Sequence, residues 1–92
     1  MYLNVGAGSV INTDEIIGIF DLDITSQSHI TRKFLVACEK EDRLINTTED
    51  IPKSFVVCNS GNINEVYFCQ PAVTTLIKRA ENDLIGGKNG GY

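Results

Sequence analysis

The sequence predicts an α+β domain in which two helices pack on a mainly antiparallel sheet. Two observations lead to this class. Short runs of β-branched and apolar residues are separated by glycine, asparagine and proline turns, and the spacing of apolar residues changes to a helical period at two places. The predicted order of elements is βββ-α-βββ-α. A chain of 92 residues allows one domain with a thin core, so self-association would be a natural source of further burial.

The first three strands are predicted near the N-terminus. Residues 2–5 (YLNV) and 9–11 (SVI) form a hairpin around the glycine-rich turn at 6–8, where glycine tolerates positive φ. Residues 15–20 (EIIGIF) are β-branched and apolar, which suits a buried strand. Gly18 within this strand indicates a bulge or a close backbone approach. Hairpins leave strands at the edges of a sheet, and an uncovered edge invites pairing with another copy.

The first helix is predicted over residues 28–41. Its apolar residues recur at i, i+4, i+7 and i+8, as one helical face requires. They are Ile30, Phe34, Ala37 and Cys38. Ser26 and Ser28 are candidate N-caps, because a serine oxygen can accept an unpaired backbone N–H. His29 beside them suits a capping or surface role.

Three further strands are predicted at 43–47, 54–58 and 64–69. The segment 48–53 is a loop, since Pro52 interrupts both helices and central strands. Residues 59–62 (NSGN) are the clearest hairpin turn in the sequence, so the last two strands are expected to pair antiparallel.

The second helix is predicted to begin at Pro71, in the first turn, where a missing N–H costs nothing. Its apolar stripe comprises Val73, Leu76, Ile77 and Ala80. Residues 81–92 contain the sequence GGKNGG and are expected to form a flexible tail. The domain organisation is therefore one α+β domain over 1–80 followed by this tail.

Composition limits the function classes. The formal charge of −4 argues against a generic nucleic-acid binder, although a local cationic patch can occur on an acidic protein. The N-terminus lacks the pattern of a targeting signal, and no run approaches the length of a membrane span, so we expect a cytoplasmic protein without a membrane partner.

The cysteines and the histidine do not suggest a metal site. Cys38, Cys58 and Cys69 are widely spaced, no CxxC occurs, and His29 is the sole histidine. We expect buried, reduced thiols, with no metal and no cofactor.

The segment FDLDIT at 20–25 resembles the first motif of haloacid-dehalogenase phosphohydrolases, in which an aspartate attacks phosphorus. In that family a small residue usually follows the second aspartate, whereas this chain has Ile24. The possible metal ligands Glu49 and Asp50 precede the possible cation Lys53, which is the reverse of the family's order. The phosphohydrolase fold also requires parallel strands joined by crossover helices. A strand end with a local capping turn is therefore favoured for these aspartates, and a phosphohydrolase is a distant third hypothesis.

Four pieces of the chain, taken together, carry a resemblance: NVGAGSVI at 4–11, EIIGIFD at 15–21, IPKSFVV at 51–57 and VYFCQPAVTTLIKRA at 66–80. In their order and spacing they resemble the RemA/RemB family of small bacterial regulators of extracellular-matrix genes. The third piece and the end of the fourth are closer to the RemB branch. The resemblance implies a cytoplasmic, non-enzymatic regulator without a small-molecule substrate. It also implies a LytTR-type α+β fold and a ring that presents cations to double-stranded DNA.

Two positions differ from RemA-like members. Those members carry two arginines before the fifth strand, where this chain has Ile51, Pro52 and Lys53, and a further arginine that corresponds here to the Asp14–Glu15 region. An assembly that kept the ring but acts through protein contacts, without DNA binding, is therefore the alternative hypothesis.

Five cations are candidates for phosphate contact, because lysine and arginine neutralise phosphates and release counterions. They are Arg32, Lys33, Lys53, Lys78 and Arg79. The first two could equally form a solvated helix face, and the last two could complement the dipole at a helix C-terminus. A ring would multiply the few contacts of each subunit through avidity.

Overall fold

The computed structural model describes residues 2–6, 8–25 and 27–89, with side chains described over 2–6, 8–24 and 27–81. The predicted α+β class is confirmed. The elements in chain order are β1 (Tyr2–Gly6), β2 (Ser9–Asn12), a 3-10 turn (Thr13–Glu15), β3 (Ile16–Asp21), α1 (Leu22–Thr25), α2 (His29–Lys40), β4 (Leu44–Asn46), β5 (Ser54–Ser60), β6 (Ile63–Cys69) and α3 (Val73–Asn89). The described chain thus has three α-helices where the sequence predicted two, and the additional one is the single turn α1.

Strands β1 and β2 form the predicted hairpin as a separate two-stranded antiparallel sheet, with Leu3 opposite Ile11. Gly8 in the turn has a φ of +79°, which explains the glycine at this position. Leu3 and Val5 are fully buried because alternate side chains of β1 point to the same face. The hairpin therefore lies over the larger sheet as an additional apolar layer.

The larger sheet has four strands in the order β3-β5-β6-β4. The pairs β3–β5 and β5–β6 are antiparallel, and β4 pairs parallel to β6. The sheet is thus mainly antiparallel, as predicted, with one parallel pair that was not predicted. The parallel pair arises because α2 carries the chain across one face from the β3 edge to the β4 edge. The predicted β5–β6 hairpin is confirmed, and Gly61 in its turn has a φ of +68°.

The core lies on both faces of this sheet. Val56 and Cys58 of β5 pack with Leu3 of the hairpin and Leu76 of α3, on what we call the α3 side. Phe55 and Val57 point the other way and pack with Cys38 of α2, on what we call the α2 side. Helices α2 and α3 therefore cover opposite faces of the sheet.

Helix α2 confirms the prediction within one residue at each end. Ser28 is its N-cap, and its Oγ accepts a hydrogen bond from the backbone N–H of Thr31 at 3.4 Å. The other candidate cap, Ser26, lies outside the described residues. The chain leaves the helix through Asp42, whose φ of +58° is left-handed.

Helix α3 begins at Val73, so the prediction that Pro71 occupies its first turn is wrong by two residues. The Pro71 carbonyl instead accepts a hydrogen bond from the Ser54 hydroxyl at 2.7 Å, which ties the segment before α3 to the sheet. Of the predicted apolar stripe, Leu76 is buried, but Ile77 is 43% exposed. The α3 stripe against the core is therefore narrower than the sequence indicated.

The backbone of residues 81–89 continues α3 up to Asn89, through the part of the chain predicted to be a tail. Residues 90–92 of that predicted tail lie outside the described residues, and its flexibility stays a prediction. Within the described chain, no helix is both long enough and apolar enough to cross a membrane.

Candidate nucleic-acid interface

The five predicted cations do not form one group. All are exposed, but Arg32 and Lys33 lie on α2 and Lys78 and Arg79 on α3. Because these helices cover opposite faces of the sheet, the two pairs belong to opposite sides of the subunit. Lys53 lies at the end of the loop before β5. A single subunit therefore cannot bring all five cations to the same stretch of DNA.

The outer face of α2, turned away from the sheet, is a shallow surface rich in cations. Its lining residues are His29, Arg32, Lys33, Val36, Ala37 and Lys40. Val36 is half-exposed and forms an apolar floor with Ala37 between the longer charged side chains. Sequence reasoning missed Lys40, although its spacing of seven residues from Lys33 places both on one helical face. This face thus combines an apolar centre with a basic rim.

The other three cations lie on α3 or at the end of the loop between β4 and β5. The Lys53 backbone N–H donates to the carbonyl of Cys69 at 2.9 Å, which places Lys53 next to the segment that leads into α3. Arg79 Nη1 donates to the carbonyl oxygen of Asn4 at 3.1 Å and so also joins α3 to the hairpin. Lys53 thus lies beside the segment that precedes α3, and Lys78 and Arg79 lie in the second turn of α3.

Carboxylates moderate the charge of this region. Glu49 and Asp50 line the same cleft as Arg79, together with residues of the hairpin and the loop. Opposite charges in one exposed cleft attract each other only weakly in water, but they reduce the positive potential that an approaching phosphate meets. Any single subunit is therefore expected to hold DNA weakly from this side.

The two positions at which the chain departs from RemA-like members are far apart in one subunit. Asp14 and Glu15 form the turn that enters β3, whereas the Lys53 carbonyl accepts a hydrogen bond from Leu22 N at 3.0 Å, just after β3 ends. These positions therefore lie at opposite ends of β3. They are therefore separated by about the 20 Å length of the strand.

Asp21, the first aspartate of the FDLDIT segment, has the local role that was favoured over phosphoryl transfer. Asp21 Oδ1 accepts a hydrogen bond from the backbone N–H of Ile24 at 3.0 Å, which caps the single turn α1. Asp21 ends a strand that pairs antiparallel with β5, so the parallel arrangement of a phosphohydrolase site is not present at this strand. The capping interpretation is confirmed.

The predicted buried, free thiols are confirmed for Cys38, Cys58 and Cys69. The pKa values of Cys58 and of Cys69 are raised to about 11, mainly because both thiols are buried, so both stay protonated at neutral pH. Within residues 2–6, 8–25 and 27–89, no three histidine, cysteine, aspartate or glutamate side chains are close enough to hold a metal ion.

The fold and the exposed cations define a class: a small α+β domain with lysine and arginine side chains exposed on both sides of its sheet. Comparison with protein families matches residues 2–80 to the RemA-like family, described as extracellular matrix regulatory protein A-like. The chain is also 31% identical over 81 residues to extracellular matrix regulatory protein B of Bacillus subtilis strain 168, covering 88% of this chain and 91% of that protein. The protein therefore belongs to the RemA-like family and is similar to its B-type member, as the sequence resemblance indicated. The family is named for regulation of the extracellular matrix.

Proposed function

We propose that this protein is an oligomeric regulator of extracellular-matrix genes that binds the phosphate backbone of double-stranded DNA in the cytoplasm. The observation that carries the proposal is the exposure of three cations in a chain of the RemA-like family: Lys53 beside the segment that precedes α3, and Lys78 and Arg79 in the second turn of α3. Lys53 is also the cation that remains where the resemblance places DNA-contacting arginines. We assign the first phosphate contacts to these three residues.

The α2 pair, Arg32 and Lys33, is the other candidate for DNA contact. Its surface has an apolar floor at Val36 and Ala37, which is typical of the centre of a protein interface. Phosphate-binding surfaces are more polar and more positively charged. We therefore place the duplex on the α3 side of each subunit and leave the α2 side for another partner.

The expected affinity of one subunit is low, because three cations neutralise few phosphates and Glu49 and Asp50 lie nearby. A ring of identical subunits converts each further contact into an intramolecular one, and this avidity can exceed the single-site affinity by about 10²–10⁴. The residues named contact phosphates rather than base edges, so sequence preference would arise mainly from DNA shape and bending.

The test is fluorescence anisotropy with a labelled duplex at about 50 mM and about 200 mM salt, since phosphate contacts lose affinity steeply over this range. We expect Lys53→Glu and Lys78→Glu each to weaken binding by about tenfold or more and to reduce the salt dependence. Arg79→Lys keeps the charge and should retain most of the binding. The matched control, Glu49→Gln with Asp50→Asn, removes two carboxylates near Arg79 and should strengthen binding.

Two results would contradict this assignment. One is duplex binding that is insensitive to salt, because phosphate contacts release counterions. The other is unchanged affinity in both Lys53→Glu and Lys78→Glu. Light scattering on each variant, without DNA, separates a loss of phosphate contact from a loss of assembly.

A second function is supported by acidic residues at two places in the subunit. Glu49 and Asp50 line the cleft that contains Arg79, and the family positions that carry arginine in RemA-like members hold Asp14 and Glu15 here. These features favour an oligomeric scaffold that acts through protein contacts. An intact assembly that fails to bind any duplex at low salt would establish this second function over the first.

A further inference from the structure

Strand β3 is an open edge of the four-stranded sheet. It pairs with β5 on one side, and among the described residues no backbone hydrogen bond joins the other side of residues 17–20 to another segment. These residues are Ile-Gly-Ile-Phe and carry no charge or proline of the kind that usually protects an edge. A bulge at Ile17 disturbs the first part of the strand and leaves 18–21 regular.

Apolar side chains are exposed along this edge and in the turn that follows it. Ile17 is 59% exposed, Phe20 37%, and Ile24 of α1 71%. Three large apolar side chains within eight residues form more than the scattered exposure usual on a monomer surface. The β3 edge therefore has the character of an interaction surface, and its chemistry identifies the partner.

Acidic residues flank this edge at both ends, and the cation Lys53, whose carbonyl accepts a hydrogen bond from Leu22 N, lies near the second end. Residues 1–31 contain four acidic residues and no lysine or arginine, so the remaining eight acidic and eight basic residues of the chain balance each other. The four are Asp14, Glu15, Asp21 and Asp23, and they flank β3 at both ends. Two copies joined β3 to β3 in antiparallel fashion would bring these carboxylates together, so that pairing is disfavoured.

The outer face of α2 has the complementary properties. Arg32, Lys33 and Lys40 surround the apolar floor of Val36 and Ala37. The lengths also agree, since the 12 residues of α2 extend about 18 Å. The six residues of β3 extend about 20 Å. Covering an open edge with a helix is one way in which proteins protect it.

We propose that copies of this chain associate head to tail, with the β3 edge of one copy docked against the outer face of α2 in the next. Ile17, Phe20 and Ile24 contact Val36 and Ala37 of the neighbour, and the carboxylates at both ends of β3 meet its basic rim. A second copy is the partner because one chain carries both complementary surfaces. Such a heterologous contact repeats and closes into a ring when the rotation between copies permits. The proposal rests on the oligomer of the proposed function and leaves Lys53, Lys78 and Arg79 for DNA.

A charge exchange tests the contact by the mass of the assembly, measured by sedimentation velocity without DNA. Asp14→Lys with Glu15→Lys, and separately Arg32→Glu with Lys33→Glu, should each raise the concentration needed for assembly by about tenfold or more, because like charges then face each other. Combining all four substitutions should restore assembly. The control, Glu49→Lys with Asp50→Lys, makes an equal charge change on the α3 side and should leave the mass unchanged.

A second variant addresses the apolar part of the surface. Ile17→Lys should lower the mass, whereas Ile63→Lys, at a site of similar exposure in the β5–β6 hairpin, should not. Circular dichroism verifies that each variant is folded. The proposal is overturned if the wild type is monomeric or if either double charge reversal leaves the mass of the assembly unchanged. It is also overturned if the variant with all four substitutions stays dissociated.

Failure of this contact and failure of DNA binding are distinguishable. Wild-type oligomers that respond to the charge exchange but do not bind a duplex contradict the DNA assignment and support the contact. Oligomers that bind a duplex and ignore the charge exchange contradict the contact and support the DNA assignment.

Discussion

Replacing Leu76 with alanine tests how the layers of the domain are held together. Leu76 is fully buried and lies in the cluster formed by the hairpin, the central strands and α3, next to Leu3 and Val56. The substitution removes a fully buried side chain by which α3 packs on both sheets. Because the surrounding strands are fixed by their own hydrogen bonds, the resulting space can close only partly.

The expected loss is large for so small a domain. Leucine-to-alanine changes in cores cost about 2–5 kcal/mol, and we expect about 3 kcal/mol at this site. A chain of 92 residues has a total free energy of unfolding of about 5–14 kcal/mol at typical values per residue. The change should lower the urea midpoint by about 2–3 M if the slope is about 1–1.5 kcal/mol per molar. The melting temperature should fall by about 12–24 °C.

The assay is urea unfolding followed by far-ultraviolet circular dichroism at several fixed protein concentrations, since self-association adds concentration-dependent stability. Ile77→Ala, one residue further along α3, deletes a side chain of the same size and is the matched control. Ile77 is 43% exposed, so its loss should cost less than about 1 kcal/mol. Equal losses for the two variants would refute the packing of α3 described above.

Two other predictions concern β3 and the buried thiols. In Gly18→Ala the new Cβ would lie 2.6 Å from Phe20 Cζ, and the ring would have to leave its stack on Phe55. We expect a loss of about 1–3 kcal/mol in thermal unfolding, much of it recovered when Phe20→Leu is added; unchanged stability would contradict the close approach. Burial raises the pKa of Cys58 and Cys69 to about 11, so the unfolded chain, with ordinary thiol pKa values of about 8.5, releases these protons first. The free energy of unfolding should therefore fall as pH rises from about 9 to 11, and a double alanine variant should lose much of that slope.

The strands and helices with strong local signals were predictable. The hairpin around Gly8, the turn at Gly61 and the cap at Ser28 depend on residues close in sequence, and each is present in the structure. The single helical turn α1, which Asp21 caps, was missed. An aspartate after an apolar strand indicates a turn but does not show whether that turn is helical. The start of the second predicted helix was placed too early, at Pro71. The Pro71 carbonyl accepts a hydrogen bond from the hydroxyl of Ser54, 17 residues away, and this distant contact could not be read from the local sequence.

The sequence identified most of the cations of the candidate site but not how they are distributed over the surface. Charge and spacing pointed to Arg32, Lys33, Lys78 and Arg79, but the sequence cannot tell which face of a sheet each helix covers. That depends on the direction of the crossover after β3. The structure separates the two pairs and adds Lys40 to the first, because the outer face of α2 is defined by which of its residues pack on the sheet.

By itself, the sequence determined the α+β class, the order of the six strands and the two longer helices, and the family, because these follow from short-range patterns of apolar, turn and capping residues. The tertiary structure decided that β4 runs parallel to β6, that β3 is left as an open acidic edge, and that the cations lie on two opposite sides. Those features depend on pairing between distant segments. The free energy of such pairing comes from shared burial and hydrogen bonds across the whole domain, and no single segment encodes it.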